Sequence, residues 1–272
     1  MQAPLAPDIA GPGGLAALFA ERAEDYATAE PFPHAVFEGL FDPEMLRQSA
    51  AEFAPAHEMS LSYAEPGQQV KSAENRWEVF GPATRALVAE MQSGAFLAAL
   101  EALTGISGLI VDPLLVGAGQ HQIREGGTLA VHADFNQHPS YGMARRLNAL
   151  LYLNDEWRRE WGGELELWDR QVSKAVKRVA PTVNTLVIFT TSATSYHGHP
   201  DPLRCPPDRT RKSLAFYYYT LDSSDAEAHS TLWQARSGER RAARIATSMG
   251  YLRKAVSPWV PDSVRRILRP HR

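Results

Sequence analysis

One cysteine, Cys205, stands in a chain of 272 residues. A single thiol cannot close an internal disulfide, so nothing in the composition calls for an oxidising compartment. Long hydrophobic runs are also missing. No apolar stretch approaches the roughly 20 residues that a bilayer-spanning helix needs. The first residues, MQAPLAPDIAGPGGLAALFAER, have no basic n-region, and Gly11, Gly13 and Gly14 break their apolar stretch. The expectation is therefore no signal peptide and a cytoplasmic protein. A large excess of charge is absent over the whole chain: the formal net charge is -3, which excludes a nucleic-acid-binding polycation. No internal repeat is visible. The remaining composition is ordinary for a globular protein of one large domain or two small ones.

The charge is uneven along the chain. From Arg236 to Arg272, ten Lys/Arg stand against two Asp/Glu, a local +8 that leaves -11 on the rest. Within this tail, a helix after Pro258 would put Val260, Val264, Ile267 and Leu268 on one face and Arg265, Arg266 and Arg269 on the other. The default for such a face is docking on its own domain. The alternative is weak contact of residues 258–272 with an anionic membrane surface, which would make the protein peripheral.

Residues 1–14, rich in Pro, Gly and Ala, read as flexible. Residues 15–108 read as a helical support. Its helices are expected over 15–30, over 42–53 with Asp42 as N-cap and Pro43 in the first turn, and in two pieces over 82–104 broken at Ser93-Gly94. Residues 55–80 read as a loop. From about residue 109 to 222 the pattern changes to short runs bounded by Gly, Pro, Asn and Asp: Leu114–Val116, Leu129–His132, Leu147–Leu153, Glu164–Trp168, Lys174–Val179, Thr185–Thr190 and Ser213–Leu221. Short strands at regular spacing indicate a sandwich or barrel. The predicted architecture is mainly β, a jelly roll buttressed by N-terminal helices. Residues 223–272 read as a basic helical extension.

His132-Ala133-Asp134 sits at the end of one such run. A histidine and a carboxylate two residues apart can grip one face of a metal ion, and a distant histidine can complete it. Two imidazoles and one carboxylate with open positions opposite suit Fe(II), and also Zn or Mn. With nine histidines in the chain, a lone H-x-D is weak; its place at a strand end is what raises it. The distant histidine is His197 or His199, which share one face of an extended segment. Arg211 opens RKSLAFYYYT, fourteen residues after His197. At a barrel mouth its guanidinium can clamp a carboxylate with two parallel hydrogen bonds. Ser213 points to the same face of that strand. Two other readings compete. One is a zinc hydrolase using the same three ligands. The other is a binding module that merely keeps the fold.

VHADFN, RRLNALLYLNDEW, WGGELELW, VNTLVIFTTSATSYHGHP and RTRKSLAFYYYT together span about residues 113–220. In this order they resemble the 2-oxoglutarate and Fe(II)-dependent dioxygenases, and among these the prolyl-4-hydroxylase-like branch. The resemblance implies a double-stranded β-helix with iron held by His132, Asp134 and His197. It implies that Arg211 and Tyr152 bind the distal carboxylate of 2-oxoglutarate, with Ser213, Asn148 and Gln122 on the cosubstrate side. Some members have a tyrosine where this chain has Gln122, and the insert PDPLRCPPDRT is longer than in compact prolyl hydroxylases. His199, His138, Phe135 and Asn136 are candidates for facing substrate or for supporting the ligands. Lys71 and Arg124 are read as solvated surface, the alternative being contact with an anionic substrate.

The implied cofactors are Fe(II), 2-oxoglutarate as co-substrate and O2, with ascorbate as a candidate stimulant. The implied reaction hydroxylates an unactivated C–H bond and releases succinate and CO2. The expected partner is a small-molecule or peptide substrate, with no nucleic acid. A small molecule or biosynthetic intermediate is preferred over a prolyl or other protein residue, because no peptide-binding repeat or second domain is visible. The sequence is silent on oligomeric state.

Overall fold

The structure, a computed structural model, describes residues 4–7, 9, 11, 14–65, 67–221 and 228–236. Five helices precede most of the sheet: α1 (Gly14–Ala20), α2 (Ala23–Thr28), α3 (Pro43–Ala51), α4 (Pro82–Met91) and α5 (Gly94–Thr104). Their ends follow local chemistry. The Asp42 carboxylate accepts from Met45 N at 2.8 Å and caps α3, and the Ser93 hydroxyl accepts from Phe96 N at 3.1 Å and caps α5. Gly105, at φ +69°, ends α5 in the left-handed conformation that glycine adopts without a steric penalty.

Among the described residues twelve strands form one sheet. They are β1 (His34–Glu38), β2 (Leu61–Glu65), β3 (Gln68–Glu74), β4 (Ile110–Val111), β5 (Gly119–Ala133), β6 (Ala144–Tyr152), β7 (Leu165–Trp168), β8 (Ala175–Val179), β9 (Thr185–Thr190), β10 (His197–His199), β11 (Arg211–Thr220) and β12 (Leu232–Trp233). The main path runs β1-β9-β6-β11-β5-β10-β7-β8, with β3 and β12 also on β5, β2 on β3 and β4 on β11. This is the expected mainly-β jelly roll. The long strand β5 joins its two halves: residues 119–123 pair with β11, and His132 and Leu129 pair with β10.

Strand alternation sorts the side chains. Leu147, Ala149 and Leu151 of β6, Leu186 and Ile188 of β9, and Leu214, Phe216 and Tyr218 of β11 face the helices in one large core. The intervening positions, among them Tyr152, Val187 and Phe189, face the barrel interior. The helices thus cover the outer face of one sheet and leave its inner face for the site.

Several sequence expectations change. Residues 55–80, read as loop, hold the β2–β3 hairpin. Its residues LSYAE and QQVKSAE carry little apolar alternation, and the strands exist because β3 pairs with β5. β1 likewise lies inside the region read as helical and pairs with β9. Leu114–Val116 is a turn, because the Asp112 carboxylate accepts from Leu114 N at 2.9 Å and Val116 N at 2.6 Å. The expected helix at 258–272 lies outside the described residues. Residues 228–236, assigned to a helical extension, instead return to the barrel as β12.

The helical buttress depends on Phe19, which is fully buried, stacked on Phe37 at 4.4 Å and edge-on to Phe96 at 6.0 Å. Phe19→Ala is expected to cost about 3–5 kcal/mol in a denaturant titration, from lost burial plus the residual cavity.

Candidate metal centre

His132 and His197 face each other across the β5–β10 pair, with ring centroids 4.4 Å apart. Asp134 follows directly after β5 ends. Its Oδ1 lies 3.5 Å from His132 Nε2 and its Oδ2 3.5 Å from His197 Nε2. One donor atom from each residue falls within 4.8 Å of the others, and all three residues are buried. His132 Nδ1 sits 2.8 Å from Ala130 O, and His197 Nδ1 sits 3.0 Å from Ser195 O. A carbonyl can only accept, so each ring carries its proton on Nδ1. Both Nε2 lone pairs then turn toward Asp134, which is how ligating histidines are usually oriented.

The carboxylate is held from behind. Arg145 donates to Asp134 Oδ2 at 2.8 Å, and the Asn148 amide donates to the same oxygen at 2.9 Å. Burial alone would raise the pKa of Asp134, but Arg145, His197 and His132 hold it well below the usual carboxylate range. Arg145 is itself buried. Its guanidinium lies 3.4 Å from the Tyr217 ring centroid and 4.4 Å from that of Phe135. Burial pushes His197 down to about 4. A neutral His197 imidazole beside an ionised carboxylate is the protonation state a divalent metal requires of those ligands.

The triad opens into a cavity of about 230 Å³ that also reaches Arg211, Ser213, His199 and Lys71. Arg211 is buried. Its Nε donates to Gly163 O at 2.8 Å and an Nη donates to the Tyr152 hydroxyl at 3.1 Å. Gly163 (φ +76°) lacks a side chain for a reason: a Cβ there would lie 3.0 Å from Arg211 Cδ and 2.5 Å from Leu203 Cδ2. Among the described residues no carboxylate pairs with Arg211. Arg209 instead approaches Glu156 at 3.9 Å. A buried cation without a counterion is costly unless a ligand supplies one.

Other sequence candidates fall elsewhere. Gln122 lies on the opposite face of β5, where its amide donates to Ala54 O at 3.0 Å and accepts from the Thr210 hydroxyl at 2.9 Å. It is not on the cosubstrate side. Asn148 does border the cavity, but its amide serves Asp134. His138 is structural: its Nδ1 accepts from Ser140 N and Tyr141 N, and its Nε2 lies 3.3 Å from Asp112 Oδ2. Asn136 accepts from His229 N at 2.8 Å and ties down the returning segment. Phe135 and His199 line the cavity. His121, read from the sequence as a packing residue with substrate contact as the alternative, borders the cavity. Sequence reasoning missed Arg145 and Trp233, whose ring centroid lies 4.8 Å from that of His132 at a tilt of 33°. Arg145 lies eleven residues from Asp134 on another strand, and no local pattern marks it.

Residues 118–219 match the model of the 2OG-Fe(II) oxygenase superfamily. Over this stretch the chain is similar to the 2-oxoglutarate/Fe(II) oxygenases. No curated protein matches it. Among solved structures it is similar to a prolyl-4-hydroxylase from Pseudomonas putida, with 20% identity and a TM-score of 0.52 over 74% of this chain and 98% of that one. It is similar to prolyl 4-hydroxylases from Phytophthora capsici, with 16% identity and a TM-score of 0.54 over 89% and 74%. It is also similar to HygX from Streptomyces hygroscopicus, solved with nickel and 2-oxoglutarate bound, with 13% identity and a TM-score of 0.50 over 82% and 93%. At these identities the likeness to each is one of fold. The matched domain contains all three triad residues and Arg211, and its cofactors are iron and 2-oxoglutarate.

Two outcomes follow from the triad. Arg145→Leu removes the charge behind Asp134 and is expected to weaken Mn(II) binding about 10–100-fold in a metal titration, with a thermal melt confirming folding. The metal-free protein is expected to lose stability as pH falls from about 6.5 toward 4. In that window unfolded His197 takes up a proton and the folded ring does not, so the unfolded state binds more protons. The slope expected in pH-dependent unfolding is about 1.4 kcal/mol per pH unit for that one proton.

Proposed function

We propose that the enzyme hydroxylates an unactivated C–H bond of a small molecule or biosynthetic intermediate, consuming O2 and 2-oxoglutarate and releasing succinate and CO2. The observation that carries this reading is Arg211. It is a buried cation without a carboxylate partner among the described residues, in the same cavity as a two-histidine, one-carboxylate triad. A zinc hydrolase has no use for a buried carboxylate clamp, and a degenerate binding module has no reason to keep both halves.

The donor set fits a divalent iron: two imidazoles and one ionised carboxylate, oriented before the ion arrives. When bound, iron with 2-oxoglutarate and O2 supplies the oxidant for the C–H bond. His132, Asp134 and His197 would hold one face of the ion. Ala130 O and Ser195 O keep the protons of both rings on Nδ1, away from the ion. Arg145 and Asn148 keep the carboxylate from turning. Arg211, braced by Gly163 O and the Tyr152 hydroxyl, would hold the far carboxylate of 2-oxoglutarate, with Ser213 beside it on the same face of β11. The Trp233 ring packs beside His132, with centroids 4.8 Å apart. A cavity of about 230 Å³ suits a cosubstrate and a compact substrate better than a folded protein surface.

Anaerobic addition of Fe(II) and 2-oxoglutarate is expected to produce the visible charge-transfer absorption of the chelate. Arg211→Leu should weaken 2-oxoglutarate binding at least about 100-fold, the scale of losing one partner of a buried charge pair. Succinate formation should vanish in His197→Ala and persist in part in His199→Ala. Tight zinc retention with no absorption band would sink the proposal.

A further inference from the structure

The cavity has a second polar wall that the roles above leave unused. Across β3, β5 and β10, Gln68 pairs with Leu129, and Leu129 pairs in turn with His199. Further along β5, Lys71 pairs with Ile123, whose other neighbour is Arg211 on β11. Strand register thus brings Gln68, Lys71 and His199 to the cavity that contains the triad.

Two of the three carry unmet hydrogen-bonding capacity, and the third is a cation. The Gln68 amide oxygen and both ring nitrogens of His199 are buried with no hydrogen-bond partner. Buried polar atoms in folded proteins are nearly always paired, so open ones converging on a cavity point to a ligand. Among the described residues no carboxylate pairs with the Lys71 ammonium, and the Tyr63 ring centroid lies 5.1 Å from its Nζ. Burial pushes the Lys71 pKa down to about 8, the direction expected of a cation that lacks a counterion.

Resting on the oxygenase reading, the charges can be allotted. 2-Oxoglutarate has two carboxylates, one for the metal and one for Arg211. The Lys71 charge is then left over. We propose that Gln68, Lys71 and His199 form the subsite for the primary substrate, and that this substrate carries an anionic group, a carboxylate or a phosphate, close to the C–H bond that is oxidised. Lys71 meets the anion, and Gln68 and His199 hydrogen-bond the polar groups beside it. The substrate class is therefore a small organic acid or phosphate ester, not a neutral peptide segment.

The test uses the full chain loaded with Mn(II) and 2-oxoglutarate, so that the cosubstrate position is filled. Benzoate and phenyl phosphate serve as probes, followed by proton and phosphorus relaxation. At least one probe is expected to show saturable paramagnetic relaxation, and the one that does identifies the anion. Lys71→Met should weaken its binding at least about tenfold, Lys71→Arg should restore it to within about threefold, and 2-oxoglutarate affinity should stay within about twofold in both. Unchanged probe binding in Lys71→Met would overturn the proposal. So would a loss of 2-oxoglutarate affinity in that variant, which would assign the lysine to the cosubstrate. A normal Fe(II)–2-oxoglutarate absorption band with no saturable relaxation by either probe would overturn this subsite alone. Absence of the band in the unmodified enzyme would overturn the oxygenase reading and this one with it.

Discussion

The antiparallel pairing of β10 with β5 sets His197 opposite His132, and the rest of the site is arranged around that pair. Two imidazoles on directly opposed strand positions are close enough to share an ion, but their angle must also be right. Backbone carbonyls two residues earlier in the chain, Ala130 O on β5 and Ser195 O in the turn before β10, take the Nδ1 protons and aim both rings. Asp134 completes the set because β5 ends one residue before it, which frees the carboxylate to turn back toward both rings. A one-residue slip of β10 would send His197 to the other face of the sheet and dissolve the centre.

Burial gives the site its electrostatic character. Asp134 stays ionised because Arg145 stands behind it, and Arg145 is tolerated because Asp134 and two aromatic faces stand in front. That pair is internally balanced. Arg211 and Lys71 are not: among the described residues, neither has a carboxylate to pair with at the cavity. The contrast separates a cation that supports the protein's own ligand from cations that await someone else's anion. The folded chain is thus already complementary to negatively charged small molecules before any arrives.

Much of this was legible in the residue order. H-x-D at a strand end, a histidine 63 residues on, and Arg211-x-Ser213 fourteen residues later are local signals in the right sequence. Helices α3 to α5 announced themselves by caps and by 3.6-residue spacing. The β2–β3 hairpin did not, because its strands owe their existence to β5 and not to their own apolar pattern. Arg145 was invisible for the same kind of reason: nothing in RRLNALLY distinguishes a cation aimed at a carboxylate from one in solvent. Gln122 was misplaced in the opposite direction, and His138 took the packing role that was its default. Both are near the motif in sequence and are spent on structural hydrogen bonds.

By itself, then, the sequence determined the chemical class: which side chains could bind a metal, which could clamp a carboxylate, and that they occur on successive short strands. Those are properties of residue type and spacing, and they survive without coordinates. Only the tertiary structure decided which charges are compensated, that Trp233 returns to pack beside His132, and that Gln68, Lys71 and His199 meet across β5. The reason is physical. Register between strands far apart in sequence fixes which side chains share a cavity, and burial fixes what an unpaired charge there costs.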